Sequence, residues 1–268
     1  MPTNAATTTS PSTASFTGSL FGLEGRLAVV TGANQGIGLA IATTLAAAGA
    51  DIVGVSYAMP DGESDVRTAV EAAGRTFTAI QTDFSDRAAV ADLAVELAAL
   101  PVDILVNNGG TIRRTPAVDH SDEDFDYVMD VNLRTAWVLS REVGRSMIER
   151  GHGKIINTAS MLSFQGGINV PGYTASKSAI AGLTKALANE WASAGLNVNA
   201  VAPGYVATAN TEALRGDAER SDAILGRIPA GRWALGSDIA GAVLFLAAPA
   251  SDYVNGAILP VDGGWLAR

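Results

Sequence analysis

Short apolar runs return along this chain at regular intervals, and a segment with helical spacing follows each one. The first run, Leu27 to Thr31, reads LAVVT and is closed by Gly32. An unbroken apolar run of this length, bounded by a turn residue, marks a strand buried on both faces. The Ala-rich stretch from Gly36 to Ala48 then reads as a helix ending at Gly49. Further strands are predicted over 51–56, 76–81 and 102–107. The helices between them span 62–73 and a stretch from Ser85, as cap, to Leu100, where Pro101 stops it. Ser121, three residues before Asp124, opens a long helix towards Arg150. A strand over 153–158, a long helix over 172–194 and a strand over 196–202 follow. Helical segments over 212–226 and 237–246 and a last strand, AILPV, complete the series. Repeated strand–helix–strand units predict an α/β fold: one doubly wound parallel sheet with helices on both faces. Functional residues then belong at the C-terminal ends of the strands.

The 268 residues allow one large domain or two small ones, and no linker divides the alternating series. A single domain over 21–268 is therefore expected. The first twenty residues are rich in Thr, Ser and Ala; they lack a basic start and an apolar centre. They read as a flexible tail rather than a signal peptide. A formal charge of -9 argues against nucleic acid and anionic membrane surfaces as partners, and no apolar run is long enough to span a bilayer. The absence of Cys excludes disulfides and thiolate chemistry and is compatible with a cytoplasmic protein. The two histidines, His120 and His152, sit in polar segments and read as surface residues. Neither has the spacing of a metal site, and no metal is expected.

Between the first strand and the first helix lies Thr31-Gly32-Ala33-Asn34-Gln35-Gly36-Ile37-Gly38. Glycines there permit a tight turn and let backbone approach a diphosphate, while the helix N-terminus offers free N–H groups and a partial positive charge. This position favours a dinucleotide site over an ordinary Gly-rich turn. The G-x-x-x-G-x-G spacing resembles the cofactor motif of the classical short-chain dehydrogenase/reductase family. Other segments resemble that family in order: Asn107-Asn108-Gly109-Gly110, then Asn132, Ser160, Tyr173 and Lys177, then Pro203-Gly204. The likeness runs from Leu23 to the C-terminus; one departure is Gly109, where the family usually has Ala. It implies a Rossmann-like domain, a nicotinamide cofactor and a homotetramer built on the helices beginning near Ser121 and Gly172. It also implies cofactor contacts from Gly32, Asn34, Gln35, Gly36, Ile37 and Gly38, from Asp83, Phe84, Asn108 and Gly109, from Tyr173 and Lys177, and from Pro203, Gly204, Val206 and Thr208. Asp83 would receive the adenine amino group, with a turn or cap residue as the competing reading.

The end of the second strand, Ser56-Tyr57-Ala58, lacks the acid that usually holds the ribose hydroxyls of NAD. It also lacks a basic residue for a 2′-phosphate, and Asp61 and Glu63 follow closely. NAD is therefore favoured over NADP.

Tyr173 and Lys177 stand four apart on one helix, so their side chains share a face. A nearby ammonium favours the phenolate of a group whose pKa is ordinarily about 10. Alone the pair would read as an ordinary surface pair. In family order with Asn132 and Ser160, it implies hydride transfer, with Tyr173 as the acid or base and Ser160 holding the substrate oxygen. Asn132 would support a water leading to Lys177. A non-catalytic NAD-binding regulator would have no need of all four.

For the substrate, the segments around Arg113-Arg114, Ser160 to Gly167, Arg227 to Trp233 and Val261 to Arg268 resemble the branch of the family acting on keto-deoxy sugar acids. Relatives acting on gluconate or on 3-oxoacyl groups remain alternatives. A guanidinium fork suits a carboxylate, so Arg113, Arg114 and Gln165 are candidate substrate residues. Pairing of either arginine with a surface acid is the competing reading. Trp233 and Trp265 read as core or subunit-contact residues.

Overall fold

The computed structural model describes residues 13–268. Helix α1 (Thr13–Phe21) leads into β1 (Leu27–Thr31), α2 (Gly36–Ala47), β2 (Asp51–Ser56), α3 (Asp65–Ala72), β3 (Phe77–Gln81), α4 (Arg87–Ala98) and β4 (Ile104–Asn107). Then come α5 (Asp122–Met129), a π-helical turn (Asp130–Arg134), α6 (Thr135–Arg150), β5 (Gly153–Thr158), α7 (Pro171–Trp191) and β6 (Leu196–Pro203). The short helices α8 (Glu212–Gly216) and α9 (Ala218–Leu225), then α10 (Gly236–Ala247) and β7 (Ile258–Val261), close the series.

All seven strands are parallel, in the order β3-β2-β1-β4-β5-β6-β7. Period-two alternation sends neighbouring side chains to opposite faces. Val29, Leu105, Ile155 and Val198 pack with α4, α6 and α7, whereas Val30, Ile104, Val106 and Ile156 pack with α2, α3 and α10. The strands are apolar throughout because both faces are covered. The chain builds outward from β1 through β2 to β3, then returns to place β4 on the other side of β1. That reversal opens a crevice beyond the ends of β1 and β4.

Several boundaries differ from the sequence reading. Residues 1–12 of the expected tail lie outside the described residues. From Thr13 the segment is helical, closed by a bond from Gly22 N–H to the Gly18 carbonyl, and Phe21 packs against the core. Thr, Ser and Gly are weak helix formers, so propensity alone missed it. Asp86, not Ser85, caps α4: its carboxylate accepts from Ala88 N–H at 2.8 Å and Ala89 N–H at 3.2 Å. Ser85 instead donates to Asp83. The helix expected from Ser121 to Arg150 is interrupted by the π-helical turn. Ser121 does cap its start, accepting from Asp124 N–H. His120 is not a simple surface residue, because both ring nitrogens are buried and without partners. His152 is half exposed and faces Asp103 at 3.0 Å.

Candidate active site

The crevice at the strand reversal is a cleft of about 740 Å³. Thr31, at the end of β1, ties its two walls together. Its hydroxyl accepts from the N–H groups of Asn108 and Gly109, at 2.9 and 2.8 Å, and its carbonyl accepts from the Asn108 amide at 3.0 Å. Gly32, Asn34, Gln35, Gly36, Ile37 and Gly38 line one end of the cleft, with Asp83, Phe84, Asn108 and Gly109 beside them. A Cβ on Gly38 would lie 2.0 Å from the Gly32 carbonyl oxygen, so no side chain fits there. The N-cap, Gln35, makes no side-chain bond to the first turn of α2. The free N–H groups of that turn and its bare glycine surface fit a dinucleotide diphosphate.

Gly109 departs from the usual Ala for a local reason. A Cβ there would stand 2.7 Å from the Phe84 ring, so the glycine makes room for that ring at the cleft wall. Asp83 lines the cleft, but its carboxylate already accepts from both the N–H and hydroxyl of Ser85. Asn34 bonds to Ser56 and to the Ala58 carbonyl, fixing the phosphate loop to the end of β2. Pro203, Gly204 and Val206 do not line the cleft: Val206 is buried in the core, and Gly204 bonds to Val261. Thr208 does line it.

Tyr173 and Lys177, on the first turns of α7, line the cleft. Lys177 is 4% exposed, and its ammonium donates to the Thr158 carbonyl at 2.6 Å. Burial lowers its pKa from the ordinary 10.5 to about 8. Burial pushes the Tyr173 phenol up, while the Ser160 hydroxyl and the Arg114 charge pull it back. Lys177 stands 5.7 Å from the Tyr173 ring centroid. Ser160 is buried just beyond β5, where its hydroxyl accepts from Leu162 N–H.

Asn132 lies in the π-helical turn, 2% exposed. Its amide oxygen accepts from Thr111 N–H at 2.7 Å, and its amide nitrogen donates to the Thr111 carbonyl and the Ser176 hydroxyl, both at 3.0 Å. The side chain therefore pins the β4 loop to α7, and its amide oxygen and the Lys177 ammonium both lie beside Gly110, where a Cβ would stand 3.3 and 3.7 Å from them.

The two adjacent arginines separate. Arg113 pairs with Asp124 at 3.2 Å and stacks on Tyr127, its guanidinium carbon 4.3 Å from the ring centroid. Arg114 is also exposed, but it lies on the Asn210 side, donating to the Asn210 carbonyl at 3.1 Å, with no carboxylate partner among the described residues. Gln165 is half-buried, without a described side-chain bond. A further group was not foreseen. Tyr205 meets Trp233 and Trp265 edge-on, at 5.3 and 5.0 Å between ring centroids, and Arg227 lies 4.0 Å over Trp265. This cluster touches Met161 and Leu162, next to Ser160. The sequence signal was only three scattered aromatics.

Comparison with known proteins matches residues 32–266 to the family described as enoyl-(acyl carrier protein) reductase. A 2-dehydro-3-deoxy-D-gluconate 5-dehydrogenase from Pseudoalteromonas atlantica is 58% identical over 92% of this chain and 98% of its own length.

The chain belongs to the short-chain dehydrogenase/reductase family.

It is an oxidoreductase with a nicotinamide cofactor. This dehydrogenase is also 55% identical to a protein of the same name from Bacillus subtilis, over 92% of this chain and 97% of that one. A proposed 2-deoxy-D-gluconate 3-dehydrogenase from Agrobacterium tumefaciens, solved with NADP bound, superposes with a TM-score of 0.88. It is 53% identical, covering 92% of this dehydrogenase and 99% of that chain.

Proposed function

We propose that this dehydrogenase interconverts a hydroxyl and a ketone on a keto-deoxy sugar acid of the 2-dehydro-3-deoxy-D-gluconate kind, in the cytoplasm. The bound nicotinamide supplies or accepts the hydride at its C4. Tyr173 gives or takes the proton of the substrate oxygen, and Ser160 holds that oxygen through its hydroxyl. Lys177 holds the nicotinamide ribose, Asp83 and the phosphate loop hold the adenosine and diphosphate, and Thr208 flanks the nicotinamide.

The observation that carries the sugar-acid reading is Arg114. It is an exposed cation without a carboxylate partner among the described residues, near enough to the site that its charge is felt at the Tyr173 hydroxyl. A substrate carboxylate supplies the missing partner in a bidentate geometry. Two relatives whose names carry the same substrate support this choice. For the cofactor, NAD is preferred. The adenine end of the cleft, at Ser56, Tyr57 and Ala58, offers no cation to a 2′-phosphate. The NADP-bound relative indicates that the scaffold admits the larger cofactor.

The test is steady-state turnover of 2-dehydro-3-deoxy-D-gluconate, gluconate and 2-deoxygluconate with NAD and with NADP. The keto-deoxy acid with NAD should give the highest kcat/KM. Arg114→Met should raise its KM about tenfold or more, while Arg113→Met should leave it near wild type. No turnover of any sugar acid, or equal effects of the two substitutions, would overturn the reading.

A further inference from the structure

Among the described residues, eight of the fifteen arginines have a carboxylate partner, among them Arg67 with Glu71 and Arg232 with Asp238. Arg215, on the short helix α8, has none within 4 Å among the described residues. Its one described bond runs from the guanidinium to the Thr208 carbonyl at 3.3 Å. Thr208 is also where this segment meets the phosphate loop, because a Cβ on Gly36 would lie 3.3 Å from its methyl group. Gly36 is the first residue of α2, the helix whose N-terminus faces the cleft. Arg215 and Gly36 line the same cleft, and Arg215 and Lys177 are its only cationic lining residues among those described.

A diphosphate placed at α2 carries two negative charges into a protein of net charge -9. The phosphate loop contains no Lys or Arg to answer them. Backbone N–H groups and the helix dipole answer part of that charge, and a guanidinium can form a bidentate pair with phosphate oxygens. The helix bearing Arg215 is lightly held: α8 contains no buried side chain, and the anchor of the segment lies further on, where Ile224 of α9 packs half-buried against Met161, Ile228 and Trp265.

We propose that Arg215 clamps the diphosphate of the bound dinucleotide, drawing α8 down over the cofactor. This rests on the reading of the cleft as the dinucleotide site. The assignment is to the diphosphate rather than to a 2′-phosphate because the Arg215 segment meets the phosphate loop at Gly36, through Thr208, whereas Ser56 and Ala58 meet it at Asn34.

Dissociation constants of NADH, NADPH and ADP-ribose, with adenosine as a competitor, test the assignment in wild type, Arg215→Met and Arg215→Lys. Arg215→Met should weaken NADH, NADPH and ADP-ribose alike by about tenfold or more, leaving adenosine unchanged, and Arg215→Lys should recover part of the loss. Raising salt from about 50 to 500 mM should weaken the wild type more than Arg215→Met. NADH binding to Arg215→Met within twofold of wild type would overturn the clamp, as would a loss confined to NADPH. Hydrogen exchange across residues 32–39 separates this from failure of the site itself. If NADH binds the wild type without protecting that loop, the cleft reading fails first.

Discussion

Lys177 sets stability against function within one side chain. It is buried, its ammonium has a single described partner in the Thr158 carbonyl, and its pKa falls to about 8. The unfolded chain keeps this proton up to about pH 10.5, so between about pH 8 and 10.5 the unfolded state binds more protons than the folded one. Stability then rises with pH through that window, and below it the burial penalty is fully present. Lys177→Met should therefore stabilise the cofactor-free protein at pH 7 by on the order of 1–3 kcal/mol. That advantage should shrink as pH climbs from 8 to 10.5, measured by denaturant melts at each pH. Activity should vanish in the same variant, the usual trade between stability and a strained site. Tyr173 shifts the other way, so at neutral pH its hydroxyl is in the acid form, suited to ketone reduction. Alcohol oxidation should accelerate with rising pH. Tyr173→Phe should cut turnover about 10²–10⁴-fold while NADH binding persists; near-normal turnover would remove Tyr173 from proton transfer. At this scale the sequence exposed the chemistry but not every direction. The i,i+4 spacing placed Tyr173 and Lys177 on one face. Nothing in Arg113-Arg114 said which guanidinium would find a carboxylate, because Asp124 and Tyr127, which engage Arg113, come from a separate helix.

Among the elements, the π-helical turn departs most from what periodicity could show. Apolar spacing across 121–150 is nearly continuous, so the pattern reads as one helix. The extra residue of a π turn changes the phase of the helix face rather than its composition. In this turn Asn132 satisfies both the N–H and the carbonyl of Thr111 and reaches Ser176 on α7. Asn132→Ala would leave those backbone groups unpaired in a half-buried place. We expect a loss of about 1–3 kcal/mol in unfolding free energy and weaker catalysis through the displaced loop after β4. An unchanged melting curve would show that water or a backbone shift replaces the amide. The strands were legible because burial on both faces leaves an unbroken apolar run. The α4 cap was misread by one residue because Ser85 and Asp86 are both good caps, and only the Asp83 carboxylate, which engages Ser85, decides between them. The helical stretch read over 212–226 is divided at Asp217, whose side chain caps α9, a break that apolar spacing does not show because these helices carry no fully buried side chain.

At the level of the whole molecule, the surface of α5 and α6 leaves apolar area without a covering element. Trp137 and Ile148 are eleven residues apart, three helical turns, and so share one stripe of α6; they are 37% and 36% exposed. Phe125 on α5 is exposed to the same degree, and Val118 before it to 92%. Scattered apolar residues are normal on a surface, but a stripe of large ones on consecutive elements marks a contact face. Two chains of net charge -9 repel each other, so an interface between copies must rely on apolar burial of this kind. We expect a homotetramer, four chains of 27.4 kDa giving about 110 kDa by light scattering. Trp137→Glu should shift the mass towards smaller species. Val95→Glu, at a 70% exposed position on α4, should leave it unchanged. A monomeric wild type would refute the assembly. A tetramer indifferent to Trp137→Glu would move its contacts off α6. Because α7, which bears Tyr173 and Lys177, packs against α5, burying this face would also stiffen the floor of the cleft. Dissociation should then weaken turnover before it unfolds the chain.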